Sequence, residues 1–539
     1  MKFILFFLLT LSSIIGFTAR AQIKSQSDTL KIALSDTIQI TSDTISTEPA
    51  DEKKSNNRMH DTDAMMKYYF KELYTDTTSM NIDAEWFLEQ AEAGDADAQR
   101  KLIEHYMYSK RENRDYEKAH KWLMRITEHP NSGCRSLLGY LYNKGKGVKK
   151  SYREAIKQYK LAIEEGETYG QCLLGLCYLN GEGVNWSLYK AARQFKLAAE
   201  KNSAMGQILF AQCHLYGIGV SVDSAKVLEW ATRAAMNGHP YAQRMVGDMY
   251  FAGQIAKQDL KEAEKWYTKG ADNREEECAY SVACMYYQAN GVEHDMEKAL
   301  KYFRISAEEG YAQGQYNMGN FYMYGEGLEQ NAENALEWYT KSARGGCMDA
   351  QFELSTQYML GEVVDQDSAK AYDYCAAAAF KGYPAALFRM GQFYLIGYNV
   401  TPHAKTALDY IRNASLMEYG PALFTLGQFY KDGTIVDKNI KKSFEHFMKG
   451  AELGHAESQY QVALSYTRGL GTNKDLTKAV TWCRLAAEQG LCDAQYTLGL
   501  CLENGWGVDK DLIQAKEWYT IAASAGHQQA EHGLARIAN

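Results

Sequence analysis

The chain has 539 residues, 46% of them hydrophobic and 12% aromatic, which is enough to bury a large core. Only 6 are prolines, a scarcity that suits a chain dominated by helices. The formal charge is −8 and no basic stripe stands out, which argues against a nucleic-acid footprint and so against a nucleic-acid partner.

The first residues read MKFILFFLLTLSSIIGFTARAQ. Lys2 precedes an apolar run, and Ala19-Arg20-Ala21 fits an A-x-A cleavage site, so residues 1–21 are expected to be a signal peptide. The alternative is an N-terminal membrane anchor, but the run is short for a span. No other stretch is apolar enough to cross a bilayer, so no membrane span is expected after signal removal. The expected location is periplasmic or extracellular. Residues 22–62 are polar and low in complexity, with SDTL, SDTI and SDTI at Ser27, Ser35 and Ser42. Such a segment has too little apolar surface to offset its ordering entropy and is expected to be disordered. Its Asp-Thr-aliphatic triplets at Thr29, Thr37 and Thr44 resemble a bacterial O-glycosylation motif, while an unmodified tether fits them equally well.

From there on the chain repeats itself. Aligned on a Leu-Gly pair or its substitute, the second residue (position zero) falls at Ile103, Gly139, Gly175, Ala211, Gly247, Ala283, Gly319, Ser355, Gly391, Gly427, Ala463 and Gly499, at a constant interval of 36. Tyrosine recurs three residues on, as at Tyr106, Tyr178, Tyr358 and Tyr466. Glycine recurs six on, as at Gly145, Gly181 and Gly505, and several units add a second in strings such as GKG and GWG. An aromatic ring recurs nineteen on, as at Trp122, Trp266 and Trp518, and a closing glycine twenty-seven on, as at Gly166 and Gly454. These types predict two helices and two turns per unit. Helix A runs from about seven residues before zero to five after, where glycine enters the left-handed region freely. Helix B follows an N-cap at position 12, occupied by Asp115, Asp223, Asp259, Asp295, Asp367, Asp475 and Asp511, with Asn331 and Asn439 as variants. Residues 63–95 hold a degenerate unit or cap in which Phe70, Trp86 and Gly94 keep phase, and residues 527–539 predict a last helix A without its B.

Ser187 and Lys190 stand in the spacing S-x-x-K, which in some secreted enzymes sets a lysine one turn from an acylating serine. Here both fall on structural columns. Ser187 takes the N-cap position, and Lys190 shares position 15 with Lys118, Lys226, Lys298, Lys370, Lys442 and Lys478. There is no H-E-x-x-H, C-x-x-C, G-x-S-x-G or P-loop, and the 12 histidines do not cluster at ligand spacing. No enzyme activity, cofactor or metal is expected.

The string AQYTLGLCLENGWGVDKDLIQAKEWYTIAASAG, Ala494 to Gly526, resembles a Sel1-like repeat, as does the unit from Gly314. The resemblance covers residues 96–526. It implies an all-α fold, a right-handed α/α superhelical solenoid of about twelve 36-residue helix-turn-helix repeats, serving as a scaffold or adaptor. Stacking supplies the core that one hairpin cannot make alone. The 11 cysteines do not follow the two-per-unit stapling of some secreted relatives, and their odd number leaves at least one thiol without an internal partner.

Three residues before zero, another column holds Tyr280, Tyr316, Phe352, Phe388, Phe424, Tyr460 and Tyr496. Four residues on, the same helical face carries Asn320, Thr356, Gln392 and Gln428. A ladder of rings and amides on the concave side suits an extended protein or peptide segment. The candidate binding residues are therefore Tyr316, Asn320, Phe352, Thr356, Phe388, Gln392, Phe424 and Gln428; the alternative is that the rings pack against the neighbouring unit. The expected function is a protein-interaction scaffold of the cell envelope. A cell-wall module binding peptidoglycan or β-lactams, and a purely structural spacer, are the rival readings.

Overall fold

A computed structural model of the protein describes residues 84–108, 114–130 and 132–538. The expected signal peptide at residues 1–21, the polar segment 22–62 and Phe70 lie outside the described residues. Among the described residues there are twenty-six helices and no strand. Helix α1 (Ala84–Glu92) comes first, followed by hairpins from α2 and α3 (Ala96–Tyr108, Tyr116–Ile126) to α24 and α25 (Cys492–Asn504, Leu512–Ser524), and then by a lone α26 (Gln528–Ala538). Twelve repeats, numbered from α2, thus form an all-α solenoid. The chain divides into two compact units, residues 1–302 and 303–539. Inside each, apart from helix Met296–Glu308, which spans the division, helix B packs on its own helix A and on the helix A that follows.

Local chemistry explains each helix boundary. Gly181 ends helix A of repeat 3 at φ 73°, and its N–H donates to Cys177 O. Eleven helix-A ends share that left-handed cap, ten through glycine and one through Ala289 at φ 56°. Helix B then starts on a side-chain acceptor: Asp223 Oδ1 takes the Lys226 N–H at 3.1 Å, and Asp475 Oδ1 takes that of Lys478 at 3.0 Å. These bonds satisfy donors that a helix start otherwise leaves orphaned.

The second glycine of the G-x-G turn has a separate cause. A Cβ on Gly507 would lie 2.2 Å from Leu476 O, at the start of helix B in the preceding repeat, and one on Gly219 would lie 2.3 Å from Leu188 O. This turn is where consecutive repeats touch through bare backbone.

The core of each repeat rests on a pairing by volume. A Cβ on Gly139, Gly175, Gly247, Gly319, Gly427 or Gly499 would fall 2.4–2.6 Å from a ring of its own helix B, on Tyr159, Phe195, Tyr267, Tyr339, Phe447 and Tyr519. These rings sit at position 20 and are buried. In three repeats a larger residue at position zero goes with a smaller one at position 20: Ala211 with Ala231, Ser355 with Cys375, and Ala463 with Cys483, whereas repeat 6 combines Ala283 with Phe303. Close packing favours that exchange. All eleven cysteines carry free thiols.

Candidate binding face

Helix A meets its own B through position zero and turns positions −2, +1 and +5 the other way. In repeats 2–4 positions −2 and +1 hold Leu137, Tyr140, Leu173, Leu176 and Leu209, all buried, with Gln212 half-buried, while +5 holds Lys144, Asn180 and Tyr216. In repeats 7–10, within residues 303–539, they hold polar or exposed side chains. The open face therefore lies on α14 (Ala312–Tyr324), α16 (Met348–Leu360), α18 (Pro384–Ile396) and α20 (Gly420–Asp432).

The four rings predicted for this face are half-buried, each against a ring or cap residue nearby. Phe352 lies 5.5 Å from Tyr383, Phe388 5.7 Å from Tyr419, and Phe424 5.6 Å from His455. Tyr383, Tyr419 and His455 each precede helix A of the next repeat, so these three rings bridge repeats. Tyr316 lies 5.7 Å from Tyr339 of its own repeat, and burial raises its pKa. Two of the four polar partners are engaged. Asn320 Oδ1 accepts from Tyr339 Oη at 2.7 Å. Thr356 Oγ1 donates to Phe352 O at 3.0 Å and accepts from Arg389 Nη1 at 2.6 Å. Gln428 is half-buried, and Gln392 is exposed.

Other residues complete the face. Arg389 stacks on Phe352, its guanidinium carbon 3.8 Å from the ring centroid, and burial lowers its pKa. Asp349 accepts from Tyr383 Oη at 3.0 Å and from Gln313 Nε2 at 3.3 Å. At position +5, Tyr324, Leu360 and Ile396 are 70%, 52% and 72% exposed in three consecutive repeats. One helical turn after Asn320, Thr356 and Gln392, they give the polar ladder an apolar edge. Their phase was the available signal, an apolar residue where helix A ends. Arg389 had none, because its column also holds Glu353 and Thr425.

The Ser187–Lys190 pair is structural. Ser187 Oγ caps helix B by accepting the Lys190 N–H at 3.3 Å. Lys190 Nζ lies over the Tyr178 ring at 5.5 Å, as Lys118, Lys298, Lys370, Lys442 and Lys478 lie over Tyr106, Tyr286, Tyr358, Tyr430 and Tyr466. In these six repeats the lysine column packs over the tyrosine column. Among the described residues no cluster of His, Cys, Asp or Glu is arranged to hold a metal ion, and no helix is long and apolar enough to cross a membrane.

The family model of the Sel1 repeat matches residues 96–125, 134–167, 168–203, 204–239, 240–274, 276–311, 312–347, 349–383, 384–418, 420–455, 456–491 and 492–527. The chain belongs to the Sel1 repeat family. Among solved structures, this Sel1 repeat protein is similar to a protective antigen of uropathogenic Escherichia coli strains that displays an SLR fold. The two are 27% identical with a TM-score of 0.59, over 85% of this chain and 90% of that one. A Sel1 repeat protein from Oxalobacter formigenes is also 27% identical, with a TM-score of 0.44, over 57% of this chain and 89% of that one. No curated protein matches the chain. Sel1 repeat proteins are typically scaffolds for protein partners and generally not enzymes.

Proposed function

We propose that this Sel1 repeat protein is an exported, non-enzymatic scaffold of the cell envelope, holding a protein or peptide on the concave helix-A face of repeats 7–10. The leader sequence supports the location. One observation carries the binding face: Gln392 and Ile396 stand exposed together, flanked by Leu360 and Tyr324 in the same column. An amide free of internal bonds pairs with a partner's backbone, and the apolar edge takes its side chains. Asn320 is bonded to Tyr339, which packs on Tyr316, and Thr356 anchors Arg389, which stacks on Phe352.

The test is a photo-crosslinking residue at Gln392 in the native envelope, with a control at exposed Glu337 on helix B of repeat 7. A protein crosslinked from Gln392 and not from Glu337 is the expected result, and Ile396→Glu should cut its yield roughly tenfold without moving the melting midpoint. Equal crosslinking from both positions, or an undiminished yield in Ile396→Glu, would refute the face.

A further inference from the structure

Position 25 ends helix B and is acidic in most repeats: Glu128, Glu164, Glu200, Asp272, Glu308, Glu452 and Glu488. Repeats 7, 8 and 9 break the column in succession with Arg344, Phe380 and Leu416. Phe380 is 94% exposed and Leu416 81%. Met417 and Leu453, at position 26 of repeats 9 and 10, are exposed as well. The four fall at the helix-B ends of three consecutive repeats, 8 to 10. A Cβ on Gly382 would lie 3.8 Å from Met417 Cε, so Met417 reaches back to the turn that follows Phe380. Lys381 Nζ donates to Gly346 O at 2.7 Å, which ties that turn to the one after Arg344.

Cations accompany the apolar tips. Lys341, Arg344, Lys381, Arg412 and Lys449 are exposed along the helix-B ends of repeats 7 to 10, against Glu418 and Glu452. The acids Glu337, Asp373, Asp409 and Glu445 share this face of helix B and lie two turns back from the tips, roughly 10 Å, with Asp409 4.0 Å from Arg412 in an exposed ion pair. In a chain of net charge −8, the end of this face is locally basic.

We propose that the helix-B ends at Phe380, Leu416, Met417 and Leu453 dock on an anionic lipid surface. The apolar tips enter the interface and the five cations meet lipid phosphates. A folded protein partner needs shape-matched pockets around each anchor. Phe380 stands almost wholly clear of its neighbours, a geometry that suits a deformable interface instead. Among the cations, Arg344 reverses the charge that position 25 usually carries.

The test is flotation of the full chain with vesicles of two parts phosphatidylcholine to one part phosphatidylglycerol, beside pure phosphatidylcholine vesicles. Binding to the anionic vesicles alone, weakened by salt, is expected. Phe380→Glu and Leu416→Glu should each lower it roughly tenfold. Lys341→Gln combined with Arg412→Gln should flatten its salt dependence. Circular dichroism melting should match the parent in every variant, since these side chains are exposed. Three outcomes overturn the assignment: no binding to anionic vesicles, binding that survives Phe380→Glu, or a variant that changes oligomeric state and leaves flotation intact.

Discussion

A methyl group at Gly427 would sit 2.4 Å from the ring of Phe447, which is buried and has nowhere to move. Gly427→Ala should therefore lower stability by about 1–3 kcal/mol, the cost of overpacking a well-filled core. The same residue scale supplies its own rescue. Repeat 11 pairs Ala463 with Cys483 where repeat 10 pairs Gly427 with Phe447. Adding Phe447→Cys to Gly427→Ala should recover part of the loss, read as the shift of the urea midpoint. A double variant no better than the single one would show that the two positions do not share a volume. The wider point at this scale is that a glycine column can record a neighbour's bulk. Gly427 lies mid-helix, where helix propensity alone disfavours glycine by about 1 kcal/mol relative to alanine.

Helices and turns respond to different rules. The glycine closing helix B and the glycine inside the A–B turn both adopt positive φ, yet they predict different losses. Gly490, at φ 91°, has nothing within 4 Å of the point where a Cβ would stand, so Gly490→Ala should cost only backbone strain, about 1 kcal/mol. Gly507, at φ 71°, faces Leu476 O, so Gly507→Ala should cost about 2 kcal/mol or more, the same strain plus a backbone clash. Hydrogen exchange should quicken across Leu512–Ser524 in the second variant and stay near parent in the first. Helix boundaries at this scale were readable from sequence because caps are local. An aspartate at a helix start and a glycine at its end answer demands of their own few residues, and the period repeats the signal. Position 20 escaped because it mixes Tyr159, Phe195, Ala231, Cys375 and Ile411, a column with no shared identity. Reading it beside position zero shows a small-against-large trade in several repeats, though not in repeat 6, where Ala283 goes with Phe303. The binding face was half legible for a similar reason. Its rings keep phase, whereas Arg389 and Asp349 gain their roles from contacts across repeats that one column does not contain.

A linear stack makes its ends special. Each repeat touches only its neighbours, so stability is a sum of repeat terms and junction terms. At the C-terminal end α26 covers Tyr519, which is fully buried, and a Cβ on Gly533 would lie 2.9 Å from that ring. Arg536 clamps Glu503 with bonds of 2.7 and 2.5 Å, holding that carboxyl below its usual range. Deleting residues 527–539 should expose the ring and cost about 2 kcal/mol of local stability. Exchange should rise in repeat 12 and remain at parent level in Pro384–Ile396; a loss spread evenly over both would contradict nearest-neighbour coupling.

The small-against-large match of positions zero and 20 lies inside one repeat, and at Gly147, Gly219 and Gly507 the glycine turn meets its neighbour first through main chain, which every amino acid shares. Where such contacts dominate, a repeat can be copied, lost or moved along the gene with little demand on its new neighbours; where rings bridge repeats, as Phe352 does with Tyr383, both sides must change together. Growth in whole steps of 36 residues leaves the interior intact, so selection is free to act on what each new rung displays outward.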